Sequence, residues 1–164
     1  MSLVSDIAAS YRDPAGVMRR RLAGPMRDDR AAALLFLGCL LGFVGQWPRL
    51  AREASVIPEI GLDIRIGAAL FGWIFVAPLL LYTLAALSHL AGRLFGARGN
   101  WYGARLALFW AIVAAAPLWL LQGVAAGFVP GIVATITGLA ALAAFLIIWG
   151  RGYGVAEFGD GAAQ

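Results

Sequence analysis

The sequence predicts an all-α integral membrane protein, with four transmembrane helices preceded by short amphipathic N-terminal helices. The first observation is composition: the 164 residues are 62% hydrophobic and 13% charged, whereas soluble domains carry about 25% charged residues. The second is distribution, because the charged residues lie at the chain ends and in or beside two links. The apolar runs between them approach or exceed the length of about 20 residues that a bilayer span needs.

The two central runs, 66–91 and 104–128, predict a membrane hairpin. Neither contains Asp, Glu or Lys, and Arg105 lies only at the start of the second. Each has a proline near its middle, Pro78 or Pro117, which removes one helical hydrogen bond. Such a pair indicates either a hinge or small cavity, as in transporters, or two tolerated kinks. The scarcity of polar side chains in these runs favours tolerated kinks.

Residues 1–30 form the predicted cytoplasmic amphipathic N-terminal region. Asp13 and Pro14 are typical of a helix N-cap and first turn, and the helix that follows carries an apolar stripe beside arginines. We expect the arginines of this region to contact lipid headgroups. The alternative is that they act only as a positive-inside signal. The predicted headgroup residues are Arg19, Arg20, Arg21, Arg27 and Arg30.

Glycines predict close helix packing in two of the spans. The first span is predicted over 31–47, where Gly38 and Gly42 form a GxxxG pattern. Gly123 and Gly127 have the same spacing in the third span. Small residues at this spacing let another helix approach closely. We therefore expect these four glycines to be packing positions, with Pro78 and Pro117 as possible hinges.

The remaining segments complete the predicted topology. The link 48–65 is net neutral and is predicted to lie along the membrane interface. Residues 132–149 form an uncharged fourth span, and the Gly- and Ala-rich segment 150–164 is predicted to be a flexible tail. With the N-terminus inside, ten arginines lie on the inner side and three on the outer side. This bias predicts that both termini are cytoplasmic.

Few residues in the chain suit catalysis or metal binding. His89, the one histidine, is either a haem, metal or proton-relay group or an interfacial, hydrogen-bonded helix-end residue; the lack of partners in the spans favours the second reading. Cys39 stands alone, so it can form no intramolecular disulfide. We find no nucleophile–base pair or ligand set and therefore expect no enzyme activity, no cofactor and no metal. Nucleic-acid binding has no support either, since no basic cluster is combined with stacking aromatics.

Two short motifs carry a resemblance to a known family. Leu22-Ala23-Gly24-Pro25 follows the N-terminal helices, and residues 101–110 (Trp-Tyr-Gly-Ala-Arg-Leu-Ala-Leu-Phe-Trp) begin the third span. With the closely spaced, proline-bearing spans, the chain from about Ser5 to Trp149 resembles a bacterial member of the Yip (Ypt-interacting protein) family, of the short alphaproteobacterial type. The eukaryotic members are associated with small GTPases and membrane shaping. They are usually drawn with five spans, whereas four are predicted here.

The resemblance implies a bacterial inner-membrane protein with no known catalytic activity. We expect a membrane-organising or partner-binding role, with membrane lipids as partners and a second copy or another membrane protein as a further candidate. One alternative is a small transporter or channel component with a pore between the helices of Pro78 and Pro117. The other is an accessory subunit of a larger membrane complex that docks through the glycine faces of the first and third spans.

Overall fold

The computed structural model describes residues 2–159, and it confirms an all-helical fold with four helices long and apolar enough to cross a membrane. A π-helical turn, Gly72–Val76, joins α4 and α5 into a single candidate span, Leu62–Leu94. The α-helices of the described residues are α1 (Leu3–Ser10), α2 (Pro14–Leu22), α3 (Asp28–Val56), α4 (Leu62–Phe71), α5 (Ala77–Leu94), α6 (Trp101–Phe128) and α7 (Ile132–Phe158).

Helix α6 lies at the centre of the bundle. In its most apolar stretch 61% of the residues are buried, against 33% in α3, 11% in α7 and 6% in Leu62–Leu94. Residues 106–116 of α6 are apolar on every side, and a helix of this kind is stable when neighbours cover it all round. Helices α3 and α7 pack along it, and α1 and α5 cover further parts of its surface.

Glycines allow α3 to approach α6 closely. A Cβ atom at Gly123 would collide with the carbonyl group of Gly45, and one at Gly127 would lie 2.8 Å from the carbonyl carbon of Pro48. Side chains fit as tightly: a Cβ at Gly38 would lie 2.8 Å from Cγ2 of Ile112. Because the first two contacts involve backbone atoms, they set the distance between the helix axes.

Both N-terminal helices begin with a side-chain cap, and the cap of α2 is the one that the sequence predicts. Ser2 caps α1 by accepting a hydrogen bond from the N–H of Ser5 (3.2 Å). Asp13 caps α2 by accepting one from the N–H of Gly16 (2.8 Å), with Pro14 in the first turn. A side-chain cap satisfies one of the donors that every helix N-terminus leaves open.

The first span is longer than the sequence predicts. Instead of ending at residue 47 and leaving an interfacial link from Pro48, α3 continues as one helix to Val56. A proline removes one helical hydrogen bond but does not have to end a helix in a membrane bundle. Arg49 and Glu53 lie one turn apart on this helix, with Nε and Oε1 3.4 Å apart. The proline and the charges therefore mark the end of the apolar run, and the helix itself extends beyond it.

The second span contains a wide turn just before Pro78. The N–H of Ala77 donates to the carbonyl of Gly72, five residues earlier. Pro78 cannot donate a hydrogen bond, so the regular ladder is interrupted at this place in any case. Next to Gly72, the ring of Trp73 lies against Gly42 of α3, where any Cβ atom would collide with it. Gly42 thus makes room for an aromatic side chain.

The predicted flexible tail 150–164 is wrong for its first part, because α7 continues to Phe158. Residues 160–164 of that prediction lie outside the described part of the chain. Helix stability in proteins comes mostly from tertiary packing, and such packing is present here. A Cβ atom on Gly152 would lie 3.3 Å from the terminal methyl of Met18. The glycine-rich sequence of this segment suits close packing against α2.

We expect Gly123→Ala to lower the free energy of unfolding by about 1–3 kcal/mol, the usual cost of overpacking. The added methyl group would meet the backbone of Gly45, which cannot turn aside as a side chain can. Thermal unfolding in detergent measures the loss. Gly150→Ala is the matched control, because a Cβ there meets nothing within 4 Å; equal losses in the two variants would contradict the contact.

Candidate functional site

One end of the bundle, which we call the arginine-rich end, gathers the starts of α3 and α6 and the end of α7. Nη2 of Arg105 lies 2.8 Å from Oδ1 of Asp28, and the N–H of Gly99 donates to the carbonyl of Glu157 (3.1 Å). The segment 49–65, at the opposite end, holds three arginines and three acidic residues. The rest of the chain holds ten arginines and six acidic residues, so the net charge of +4 lies outside that segment.

Two hydrogen bonds hold α1 on the central helix. The indole N–H of Trp110 donates to the hydroxyl oxygen of Ser10 over 3.1 Å, and both residues are buried. The hydroxyl of Tyr11 donates to the carbonyl oxygen of Ala114 over 2.9 Å. Burial raises the pKa of Tyr11 above its ordinary value, so the hydroxyl remains a donor at neutral pH. The N-terminal helices are therefore part of the packed bundle.

Arg21 fixes α2 at the same place. Its guanidinium carbon lies 3.4 Å from the centre of the Trp110 ring, and its Nη2 lies 2.8 Å from Oδ2 of Asp6. Burial lowers the pKa of Arg21 and the neighbouring Asp6 raises it, and arginine stays charged at physiological pH in either case. A cation over a tryptophan is worth about 2 kcal/mol when it is desolvated. Arg21 is thus engaged inside the protein.

The other predicted headgroup arginines remain on the surface. Arg19, Arg20, Arg27 and Arg30 are exposed. The side chain of Arg20 is 50% exposed although its Nη2 lies 3.8 Å from Oδ1 of Asp6. The structure therefore separates the arginines of α2 into one that faces the core, with a side chain only 15% exposed, and two that face outward.

A second polar cluster joins the ends of α5 and α7. Nδ1 of His89 and Oε1 of Glu157 lie 2.6 Å apart and form a hydrogen bond, and the two side chains are 3% and 0% exposed. The ring of Trp101 lies against His89, with centroids 4.4 Å apart. His89 is therefore hydrogen-bonded near a helix end, as the second reading predicts, but the expected lack of a partner is wrong because Glu157 supplies a carboxylate.

Backbone groups and one tyrosine enclose this pair. The hydroxyl of Tyr153 donates to the carbonyl of Ser88 over 2.5 Å, which ties α7 to α5 one residue before His89. A Cβ atom at Gly99 would lie 2.7 Å from Oε2 of Glu157. This oxygen is buried and has no hydrogen-bond partner among residues 2–159. One oxygen of the Glu157 carboxyl group is therefore hydrogen-bonded to His89. The other is enclosed by neighbouring atoms without a hydrogen bond among the described residues.

Sequence reasoning missed Glu157 because it treated the segment after Trp149 as a flexible tail. The predicted spans contain no acidic residue that could pair with His89. One signal was present: Trp149 and Tyr153 continue the helical i, i+4 spacing past the predicted end, and their rings lie 6.4 Å apart. An aromatic pair at this spacing indicates that the helix continues.

The His89–Glu157 pair forms a buried hydrogen bond, but it supplies only two protein ligands. A structural zinc site uses four ligands and a catalytic one three. Within the described part of the chain, no group of three or more His, Cys, Asp or Glu residues is placed to hold a metal ion. The geometry therefore suits a hydrogen bond that holds the ends of α5 and α7 together better than it suits a metal centre.

The predicted packing and hinge residues have different roles. Gly38, Gly42, Gly123 and Gly127 all face other helices of the same chain. Pro117 lies on an exposed part of α6, which continues through it to Phe128. Pro78 is partly buried and follows the π-helical turn. Of the two prolines, only Pro78 is accompanied by a change of helix type.

Comparison with known proteins found no similarity: no protein-family model, no curated protein and no solved structure matches the chain.

We expect Arg21→Ala to release α1 and α2 from the bundle, because it removes both the contact with Trp110 and the closest ion pair of Asp6. Amide hydrogen exchange measured by mass spectrometry should then show about thirtyfold less protection over residues 3–22, since a cation–π contact of this kind is worth about 2 kcal/mol. Arg20→Ala is the control, as that side chain is half exposed. Equal exchange in the two variants would show that Arg21 does not anchor α1 and α2 on the bundle.

We expect His89 and Glu157 to be energetically coupled. A double-mutant cycle with His89→Ala and Glu157→Ala should give a coupling free energy of about 1–3 kcal/mol, the range for a buried hydrogen bond. Unfolding in detergent supplies the four stabilities. Thr83→Ala combined with Glu157→Ala should be additive, because the Thr83 hydroxyl bonds only within its own helix (2.8 Å to the carbonyl of Leu79). Additive effects of His89→Ala and Glu157→Ala would contradict the proposed link between α5 and α7.

Proposed function

We propose that this chain is a non-catalytic, membrane-organising protein that resembles the Yip family and acts at the cytoplasmic face of the bacterial inner membrane. The observation that carries the proposal is a basic layer at the arginine-rich end, formed by Arg19, Arg20 and Arg21 of α2. Arg21 anchors α2 on Trp110, and the neighbouring Arg19 and Arg20 are held outward. Near an anionic leaflet each such arginine contributes about 1 kcal/mol of attraction.

The position of the two resemblance motifs supports this proposal. Leu22-Ala23-Gly24-Pro25 forms the end of α2 and the turn that leads to α3, and residues 101–110 begin α6 beneath it. Trp110, the last residue of the second motif, is the residue on which Arg21 rests. Both motifs thus contribute to the layer that would face the cytoplasmic leaflet.

The accessory-subunit alternative needs a different docking surface from the one that the sequence suggested. The four predicted packing glycines already contact helices of the same chain, so they are not free for a partner. A membrane partner would have to bind the outer faces of α5 or α7, where residues such as Leu79 and Leu139 are exposed. Co-purification of a stoichiometric protein in mild detergent would favour this alternative.

The transporter alternative draws on a cavity of about 380 Å³ beside the two prolines, lined in part by Ala77 and Ala116. Most of its wall is apolar and includes Trp73, Ile112 and Phe145. A charged solute would therefore meet mostly apolar side chains, which is unfavourable without compensating polar groups. Proton or ion flux through reconstituted vesicles would favour a transporter over the proposed role.

Anionic lipid should stabilise the protein through the exposed arginines of α2. We expect phosphatidylglycerol, compared with phosphatidylcholine, to raise the thermal unfolding temperature in mixed micelles, and the effect to shrink with added salt. The double variant Arg19→Ala, Arg20→Ala should lose at least half of this increase. Arg52→Ala, at the opposite end, should keep it. An unchanged increase in the double variant would remove the support for the basic layer as the acting surface.

A further inference from the structure

The cavity beside Ala77 and Ala116 is bounded by α3, the span Leu62–Leu94, α6 and α7. Its volume of about 380 Å³ lies within the range of about 300–1,000 Å³ that is typical of sites for small molecules. Leu80 forms part of its wall and is 61% exposed. The cavity therefore borders the outer surface of the bundle, which faces hydrocarbon when the helices span a membrane.

The lining of the cavity is polar at one end only. Gln46, Arg49 and Gln122 lie at that end, and the remaining wall is formed by glycine, alanine and large apolar side chains. Between Gly38 and Arg49 the cavity follows α3 for about 16 Å, given a rise of 1.5 Å per residue. Pro48 touches Gly127 near the end of α6, so the polar end lies at the level where the spans leave the apolar region.

A buried donor in the wall has no partner. Trp119 lines the cavity, and its indole N–H is buried without a hydrogen-bond partner among the described residues. A buried donor left unsatisfied costs about 1–3 kcal/mol. The N–H is too enclosed for a water-sized group to reach it, so a ligand oxygen, such as that of a carbonyl ester, would satisfy it once the indole ring turns toward the cavity.

At the polar end two arginines share one acidic residue, although the segment 49–65 as a whole is net neutral. Arg49 and Arg65 share one carboxylate, that of Glu53, with N–O distances of 3.4 Å and 3.3 Å. The guanidinium of Arg49 carries five N–H donors, and the side chain is 50% exposed. Glu53 contacts Arg49 through Nε, so this ion pair does not use the terminal N–H groups of the Arg49 guanidinium. The site thus suits a ligand with an anionic head and an apolar tail.

We propose that this cavity binds one acyl chain of a glycerophospholipid, with the lipid phosphate beside Arg49 and an ester oxygen near the indole N–H of Trp119. The chain would enter sideways past Leu80 and fill the apolar part of the cavity. The site lies at the end opposite Arg19 and Arg20, so it is separate from the basic layer of the proposed function. Its loss would leave the stabilisation through α2 intact.

Native mass spectrometry of the detergent-purified chain, titrated with dioleoyl phosphatidylglycerol, tests the site. We expect one lipid to bind with saturation. Arg49→Ala should weaken binding about fivefold or more, whereas Arg52→Ala should not change it; Glu53 keeps Arg65 as a partner in the Arg49 variant. Ala77→Phe, which fills the cavity, should abolish the tight site. Dioleoylglycerol, which lacks the phosphate, should bind as weakly as phosphatidylglycerol binds to the Arg49 variant.

The variant Trp119→Phe distinguishes a lipid-binding site from a simple packing defect. If the cavity were only a packing defect, removing an unsatisfied N–H would leave lipid binding unchanged and keep or raise stability. Under the proposal the same variant keeps its stability but binds the phospholipid about threefold or more weakly. Three results would overturn the site: no saturable lipid, equal binding by wild type, Arg49→Ala and Trp119→Phe, or a protein complex in which a second chain takes the place of the lipid.

Discussion

The backbone contact between Gly45 and Gly123 fixes how closely α3 approaches α6, and the rest of the bundle is arranged around that pair. In hydrocarbon there is no hydrophobic force between helices, so close van der Waals packing must supply the association energy. Small residues make such packing possible where α3, α6 and α7 meet. Because α3 and α7 both lie close to α6, the second span packs less tightly, and the cavity opens between it and its neighbours.

Both ends of the molecule use arginine, but in different ways. At the arginine-rich end Arg21 is drawn onto an aromatic ring and a carboxylate, and its neighbours stay outside. At the other end Arg49 and Arg65 flank a single carboxylate on a helix that has already left the apolar region. A polar group at an apolar boundary needs a partner, and the chain meets this need once by stacking and once by sharing an acidic residue.

The sequence was informative where the physical constraint is local. Bilayer thickness requires long apolar runs, so the fold class and the cores of all four spans could be predicted from composition and spacing. It was misleading where long-range contacts decide the outcome. Pro48 does not end α3, because Gly127 of another helix accommodates it, and Gly150 does not end α7, because α2 and α5 pack on the residues that follow. The partner of His89 was missed since a residue 68 positions away can be found only after the fold is known.

The π-helical turn Gly72–Val76 has a consequence for how this span can vary. A π turn bonds each N–H to the carbonyl five residues earlier instead of four, so it accommodates one residue more than a regular turn. Deleting one residue there would therefore restore a regular α-helix and leave the later residues on nearly the same faces, so that His89 would still face Glu157. A deletion in the regular helix that follows, before His89, would instead rotate His89 by about 100° and turn it away from Glu157. The π turn is thus a place where the length of this span can change without a change of helix face.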